Sequence, residues 1–79
     1  MRIDKFLKVS RIIKRRTLAN EICDKGWVLV NGKVVKAGYM VHVGDHIEVK
    51  LPAKTLSVIV DRVVDNISAN KASELFHEV

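Results

Sequence analysis

Trp27-Val28-Leu29-Val30-Asn31-Gly32-Lys33-Val34-Val35-Lys36 is the stretch that decides the fold. Two apolar-rich runs flank Asn31-Gly32. Asn and Gly are the residues that best tolerate positive φ at both central positions of a tight turn, so the stretch reads as a β-hairpin with a two-residue connection. The period within it is two. Val28 is therefore expected to face a core, with Trp27 and Leu29 on the opposite, outward face.

Downstream the same period continues. Gly44-Asp45 precedes a third strand, expected over Ile47 to Leu51, with Ile47, Val49 and Leu51 on one face. Leu56 to Val60 reads as a fourth strand through Leu56, Val58 and Val60. Pro52 lies between the two. Residues 69 to 77 have the spacing of a short terminal helix capped by Ser68, with Ala72, Leu75 and Phe76 inward.

Upstream the period is helical. Ile3, Phe6 and Leu7 have the i, i+3, i+4 spacing of an inward stripe, which predicts a first helix over residues 4 to 9. Asp4 is placed to cap it by accepting a backbone N–H near Phe6 or Leu7, and also to orient Arg2 or a neighbouring base. Lys5 and Lys8 fall away from the stripe. Arg11 to Arg16 reads as an irregular basic link around Ile12 and Ile13. Thr17 is the expected N-cap of a second helix, residues 18 to 25, with Leu18, Ile22 and Cys23 inward. Gly26 stands where a left-handed residue ends a helix. Two helices, a hairpin, two strands and a terminal helix make a small α+β fold.

Charge is distributed unevenly. Residues 1 to 16 contain Arg2, Lys5, Lys8, Arg11, Lys14, Arg15 and Arg16 against the single acid Asp4, while the remaining residues hold seven bases and eight acids. The net charge of +5 therefore resides entirely in the first helix and the link after it. A surface kept basic only for solubility ordinarily mixes both signs. One-sided charge is the footprint of a polyanion-binding face.

Other functions fit poorly. A chain of 79 residues supports one domain and buries only about 60% of the surface its unfolded state exposes, which leaves little room for a deep catalytic cleft beside a core. No Ser/His/Asp set, phosphate-cradling glycine loop or paired carboxylates are present, so no catalytic residue is expected. His42, His46, His77 and the lone Cys23 have no zinc-ligand spacing; neither metal nor cofactor is expected. Cys23 reads as a buried helix residue. Apolar runs such as Val58-Ile59-Val60 are far too short to span a bilayer, and no apolar run suits a secretory signal. The Ile3, Phe6, Leu7 stripe would permit a helix lying on anionic lipid, but the strands need that stripe to close a core. A cytoplasmic monomer without membrane contact is the expectation.

Arg2-Ile3-Asp4-Lys5-Phe6-Leu7, Ser10-Arg11, Lys14-Arg15-Arg16-Thr17, Gly26-Trp27-Val28, Val30-Asn31-Gly32 and Val43-Gly44-Asp45-His46-Ile47, in this order and spacing, resemble the RNA-binding domain named after ribosomal small-subunit protein S-four. The resemblance covers about residues 1 to 60, leaving 61 to 79 as a C-terminal tail. It implies the S-four-like (alpha-L) fold, two N-terminal helices packed on a small, mostly antiparallel sheet. The first nineteen residues are most similar to the stand-alone RqcP (YabO) group of that family. This similarity implies binding to obstructed large ribosomal subunits through large-subunit rRNA and peptidyl-tRNA. It further implies work with an RqcH-like protein, which recruits alanyl-tRNA for alanine tailing of stalled chains. Carried over by position, Arg2 and Arg16 are the first rRNA-phosphate candidates, followed by Lys5, Lys8, Arg11, Lys14 and Arg15.

Two alternatives come from the same resemblance. Factors like heat shock protein fifteen rescue large subunits carrying nascent chains, but ordinarily have a long basic C-terminal extension. Residues 61 to 79 here hold Arg62 and Lys71 against Asp61, Asp65, Glu74 and Glu78. The domain also occurs fused to pseudouridine synthases and tyrosyl-tRNA synthetases, of which this sequence would be a fragment. Trp27 and Leu29 depart from the family pattern, which is more often polar there. An outward Trp27 could stack on an RNA base; the favoured expectation is that it packs under Leu75 or Phe76 of the tail.

Overall fold

A computed structural model describes residues 1–79. Helices α1 (Ile3–Val9) and α2 (Arg16–Asp24) precede strands β1 (Val28–Val30), β2 (Lys33–Val34), β3 (His46–Lys50) and β4 (Thr55–Val60). A 3₁₀ segment, Ala69–Leu75, then leads into β5 (Phe76–Glu78). All strand pairs are antiparallel, in the order β2-β1-β3-β4-β5. This is the α+β architecture that the sequence predicts.

The hairpin forms as its turn chemistry requires. Asn31 has φ 52° and Gly32 φ 84°, the double positive φ of a type I′ turn. Leu29 pairs with Val34 and Val30 with Lys33. The turn is tied to the loop before β3. The Asn31 side chain donates to Asp45 Oδ1 (3.3 Å) and accepts from the His46 amide (3.1 Å). The buried Asp45 also takes hydrogen bonds from the Tyr39 hydroxyl (3.2 Å) and the His42 amide (2.9 Å). Burial raises the Tyr39 pKa, and its hydrogen bond and proximity to the Asp45 carboxylate raise it further. Asp45 thus locks two loops together, which fixes the register of β1 against β3.

The core lies between the helices and one face of the sheet. Ile3, Phe6 and Leu7 are fully buried, as are Val28, Ile47, Val49 and Val58. Each such side chain contributes roughly 1.5–3 kcal/mol relative to leaving it exposed. The amino terminus is stitched in by backbone: Ile3 donates to the Tyr39 carbonyl (2.7 Å) and Val41 to that of Met1 (2.8 Å). Arg2 therefore projects from fixed backbone rather than from a loose tail. No helix is long and apolar enough to cross a membrane.

Four expectations need correction. Arg2 and Arg15, both extended, occupy the positions before α1 and α2, and neither helix has a side-chain cap. Asp4 and Thr17 lie instead within the first turns. Asp4 accepts the Lys5 amide (2.8 Å) rather than one nearer Phe6 or Leu7. The inward face of α2 is Ala19, Ile22 and Cys23, and Leu18 is 44% exposed, because the helix starts at Arg16 and turns that position outward. In the tail, Ala72 and Leu75 are buried as expected. There, however, the helix is 3₁₀ and uncapped by the Ser68 side chain, and it yields at Phe76 to a strand. Finally, Trp27 does not lie under the tail. Phe76 pairs with Val60, whereas Trp27 precedes β1 and accepts the Lys50 amide at the opposite end of the sheet.

Candidate nucleic-acid interface

Asp4 is the hub of the basic surface. Its side chain is only 3% exposed. Arg2 Nη2 donates to Oδ2 (3.3 Å), Arg16 Nη2 to Oδ1 (3.4 Å) and Asn20 Nδ2 to Oδ2 (3.4 Å). The two arginine side chains remain 48% and 47% exposed. One buried carboxylate therefore holds two outward-facing arginines, one just before α1 and one at the start of α2, on a common face. Arg2, Asp4, Arg16, Thr17, Asn20 and Glu21 border an open hollow of ≈ 510 Å³.

The other predicted cations adjoin it. Lys5, Lys8, Arg11 and Arg16 line a second hollow with Asp65 and Ile67 of the tail, and Lys14 and Arg15 a third with Thr17 and Leu18. Arg16 is common to the first two hollows, and Thr17 and Glu21 to the first and third. All seven predicted bases thus sit on one continuous surface across α1, the link and α2. The link can fold back because Arg11 adopts φ 67°, a left-handed conformation uncommon outside glycine. That reversal lets Arg16 reach Asp4 in the first turn of α1.

Sequence reasoning missed Asn20, which steadies Asp4, and Asp65, whose Oδ1 lies 3.4 Å from Lys5 Nζ. The tail thus lays an acid on the edge of the basic surface. The Asn20 signal was present in outline: Arg16 and Asn20 are i, i+4 on one helix face. Cys23 is buried, and burial first, then the charges of Asp4 and Asp24, push its thiol up to about 11. It is therefore protonated and unreactive at neutral pH.

Burial by itself would raise the Asp4 pKa. Hydrogen bonds from Asn20, Arg16 and the Lys5 amide, with the Arg16 charge, outweigh it and leave the carboxyl below its ordinary value. A carboxylate with a depressed folded-state pKa stabilises the fold above the unfolded value of about 3.9, and that contribution is lost as pH falls through the folded value. Asp4→Asn is accordingly expected to cost about 1–3 kcal/mol at pH 7 and much less near pH 2. Thermal melts of both proteins across this range test the point. Parallel pH dependence would show that the carboxylate is not held by its cationic neighbours.

The surface has the chemistry of a phosphate reader. Guanidinium forks pair with phosphate oxygens two bonds at a time, and lysines add flexible point charges. Comparison with known proteins identifies the family. Residues 1–47 match the model of the S4 domain. An RQC P-site tRNA stabilizing factor from Halalkalibacterium halodurans is 47% identical over 96% of this chain and 86% of its own length. Its Bacillus subtilis counterpart is 43% identical over 96% and 88%. Among solved structures, Heat Shock Protein 15 of Vibrio cholerae, described as trimeric, superposes with a TM-score of 0.94 at 29% identity, covering 100% of this chain and 81% of that one. A hypothetical protein, HP1423, superposes with a TM-score of 0.84 at 30% identity, covering 100% and 96%. The chain belongs to the S4 domain family, within the group formed by the RQC P-site tRNA stabilizing factors.

Proposed function

We propose that this chain is a non-catalytic, RNA-binding factor of ribosome-associated quality control in the bacterial cytoplasm. It binds large ribosomal subunits obstructed by peptidyl-tRNA. The observation that carries the reading is the Asp4 hub, which fixes Arg2 and Arg16 side by side with most of their donors free. A rigid pair of helices suits A-form RNA, which is read mainly by shape and backbone contacts. Arg2 and Arg16 meet rRNA phosphates first. Lys5, Lys8, Arg11, Lys14 and Arg15 extend the contact towards rRNA and the P-site tRNA named in its relatives. By steadying that tRNA, a monomer would support an RqcH-like partner during alanine tailing.

Heat Shock Protein 15 is the structural likeness that favours a second reading, rescue of subunits carrying nascent chains. The acidic tail argues against it, because Asp65 and Glu74 face the bases Lys5 and Arg62 rather than extending the positive surface.

Co-sedimentation with large subunits, with and without peptidyl-tRNA, tests the proposal. Preference for the obstructed particle is expected, with a log–log salt slope of roughly −3 to −5 if about four to six phosphates are neutralised. Salt-insensitive association, or equal affinity for both particles, would overturn it.

A further inference from the structure

Away from the basic hollows, the end of the sheet beside the α2 carboxyl terminus carries an exposed aromatic site that the proposed function does not use. Trp27 is 39% exposed. Lys25 Nζ lies 4.9 Å from the centre of its ring, within cation–π range. Lys25 is also the C-cap of α2, a position where the helix dipole favours a cation. Beside the indole, Lys50, Leu51 and Pro52 complete an open hollow of ≈ 250 Å³. That is below the ~300–1,000 Å³ of small-molecule pockets and suits one planar ring laid on a platform.

An exposed indole flanked by lysines at positions 25 and 50 complements a ligand with both a π-face and negative charge. An unpaired nucleotide has both, and base–aromatic stacking tolerates any base. The nearest acids in sequence, Asp24 and Glu48, do not pair with either lysine. α2 separates this platform from Arg15 and Arg16 by about 14 Å, nine residues at 1.5 Å each. One folded RNA can therefore reach both.

We infer that Trp27, with Lys25 and Lys50, is a second RNA contact that stacks an unpaired base, while the Arg2–Arg16 surface holds paired RNA by its phosphates. The class of partner rests on the proposed function; the site does not overlap with that surface.

Trp27 is the only tryptophan, so its emission reports the site in the unmodified chain. Octauridylate is expected to quench it, whereas a blunt RNA duplex, although bound, leaves it unchanged. Trp27→Ala should weaken octauridylate binding roughly 5- to 150-fold by fluorescence anisotropy and duplex binding less than twofold; Trp27→Phe should restore most of the loss. Arg2→Gln and Arg16→Gln should do the reverse, which separates failure of this site from failure of the basic surface. Absence of quenching at saturating octauridylate would overturn the inference, as would Trp27→Ala binding like the parent. So would emission that shifts with protein concentration alone, which would assign the platform to a second copy of this chain.

Discussion

Arg2→Glu and Arg16→Glu are each expected to reduce association with large ribosomal subunits by at least about 100-fold. A charge-assisted hydrogen bond contributes roughly 1.5–3 kcal/mol, so losing one contact already weakens binding by about 10- to 150-fold. Reversal adds repulsion from the neighbouring phosphates. Arg2 and Arg16 matter more than an average surface base because they are immobilised. Each donates through a single Nη2 to Asp4, and a guanidinium has five N–H donors in a fixed fork. The remaining donors of both arginines are held ready for phosphate at little further cost in side-chain entropy. Lys14 and Arg15, without an ion-pair partner, should matter less when singly neutralised.

Reversal also places a carboxylate beside the buried Asp4, so Arg2→Gln and Arg16→Gln belong in the same series. These neutral variants should retain the circular dichroism of the parent and lower the magnitude of the salt slope by about one each. Co-sedimentation at several salt concentrations reads both effects. Reversal variants that pellet with subunits as the parent does would remove the Asp4 hub from the function altogether.

Why the sequence displays some of this and hides the rest follows from the range of the interactions. The hairpin, Gly26 (φ 79°) and the Ile3, Phe6, Leu7 stripe depend on residues within a few positions of one another, and each was legible. The seven bases were legible as a set because charge needs no exact register. The caps were not. Asp4 is a good capping residue by type, yet three side-chain donors, Arg2 before α1 and Arg16 and Asn20 on α2, share its carboxylate, which reaches no α1 amide beyond that of Lys5. That competition is tertiary and spans the whole basic link. The tail misled for a different reason. Ala72, Leu75 and Phe76 have helical spacing, but the free edge of β4 offers Phe76–Glu78 a backbone ladder, with Val60 opposite Phe76 and Val58 opposite Glu78. A three-residue strand has too few positions to announce a period. Trp27 was misplaced as a consequence, since the tail expected to cover it pairs at the far edge of the sheet.

Val28→Asp is expected to abolish cooperative folding. Val28 is completely buried and sits in register with Val49 on β3, among side chains from both helices and the sheet. An unpaired carboxylate there costs several kcal/mol even after relaxation. No base is buried nearby to receive it, since Asp4, Ser10 and Asp45 are the only buried polar residues. A domain of this size has a stability near the low end of about 5–15 kcal/mol, so the substitution removes most or all of it. Leu29→Lys is the matched control. Leu29 is the next residue on the opposite face and lies across from Glu48, so a lysine there gains an opposite charge across the strands, worth about 0.2–1 kcal/mol. It should melt within a few degrees of the parent. Because side chains alternate faces, a slip of β1 by one residue exchanges these two environments. Chemical and thermal denaturation of the pair therefore tests register as well as burial: a normal transition for Val28→Asp together with an unfolded Leu29→Lys would place Leu29, not Val28, against the helices.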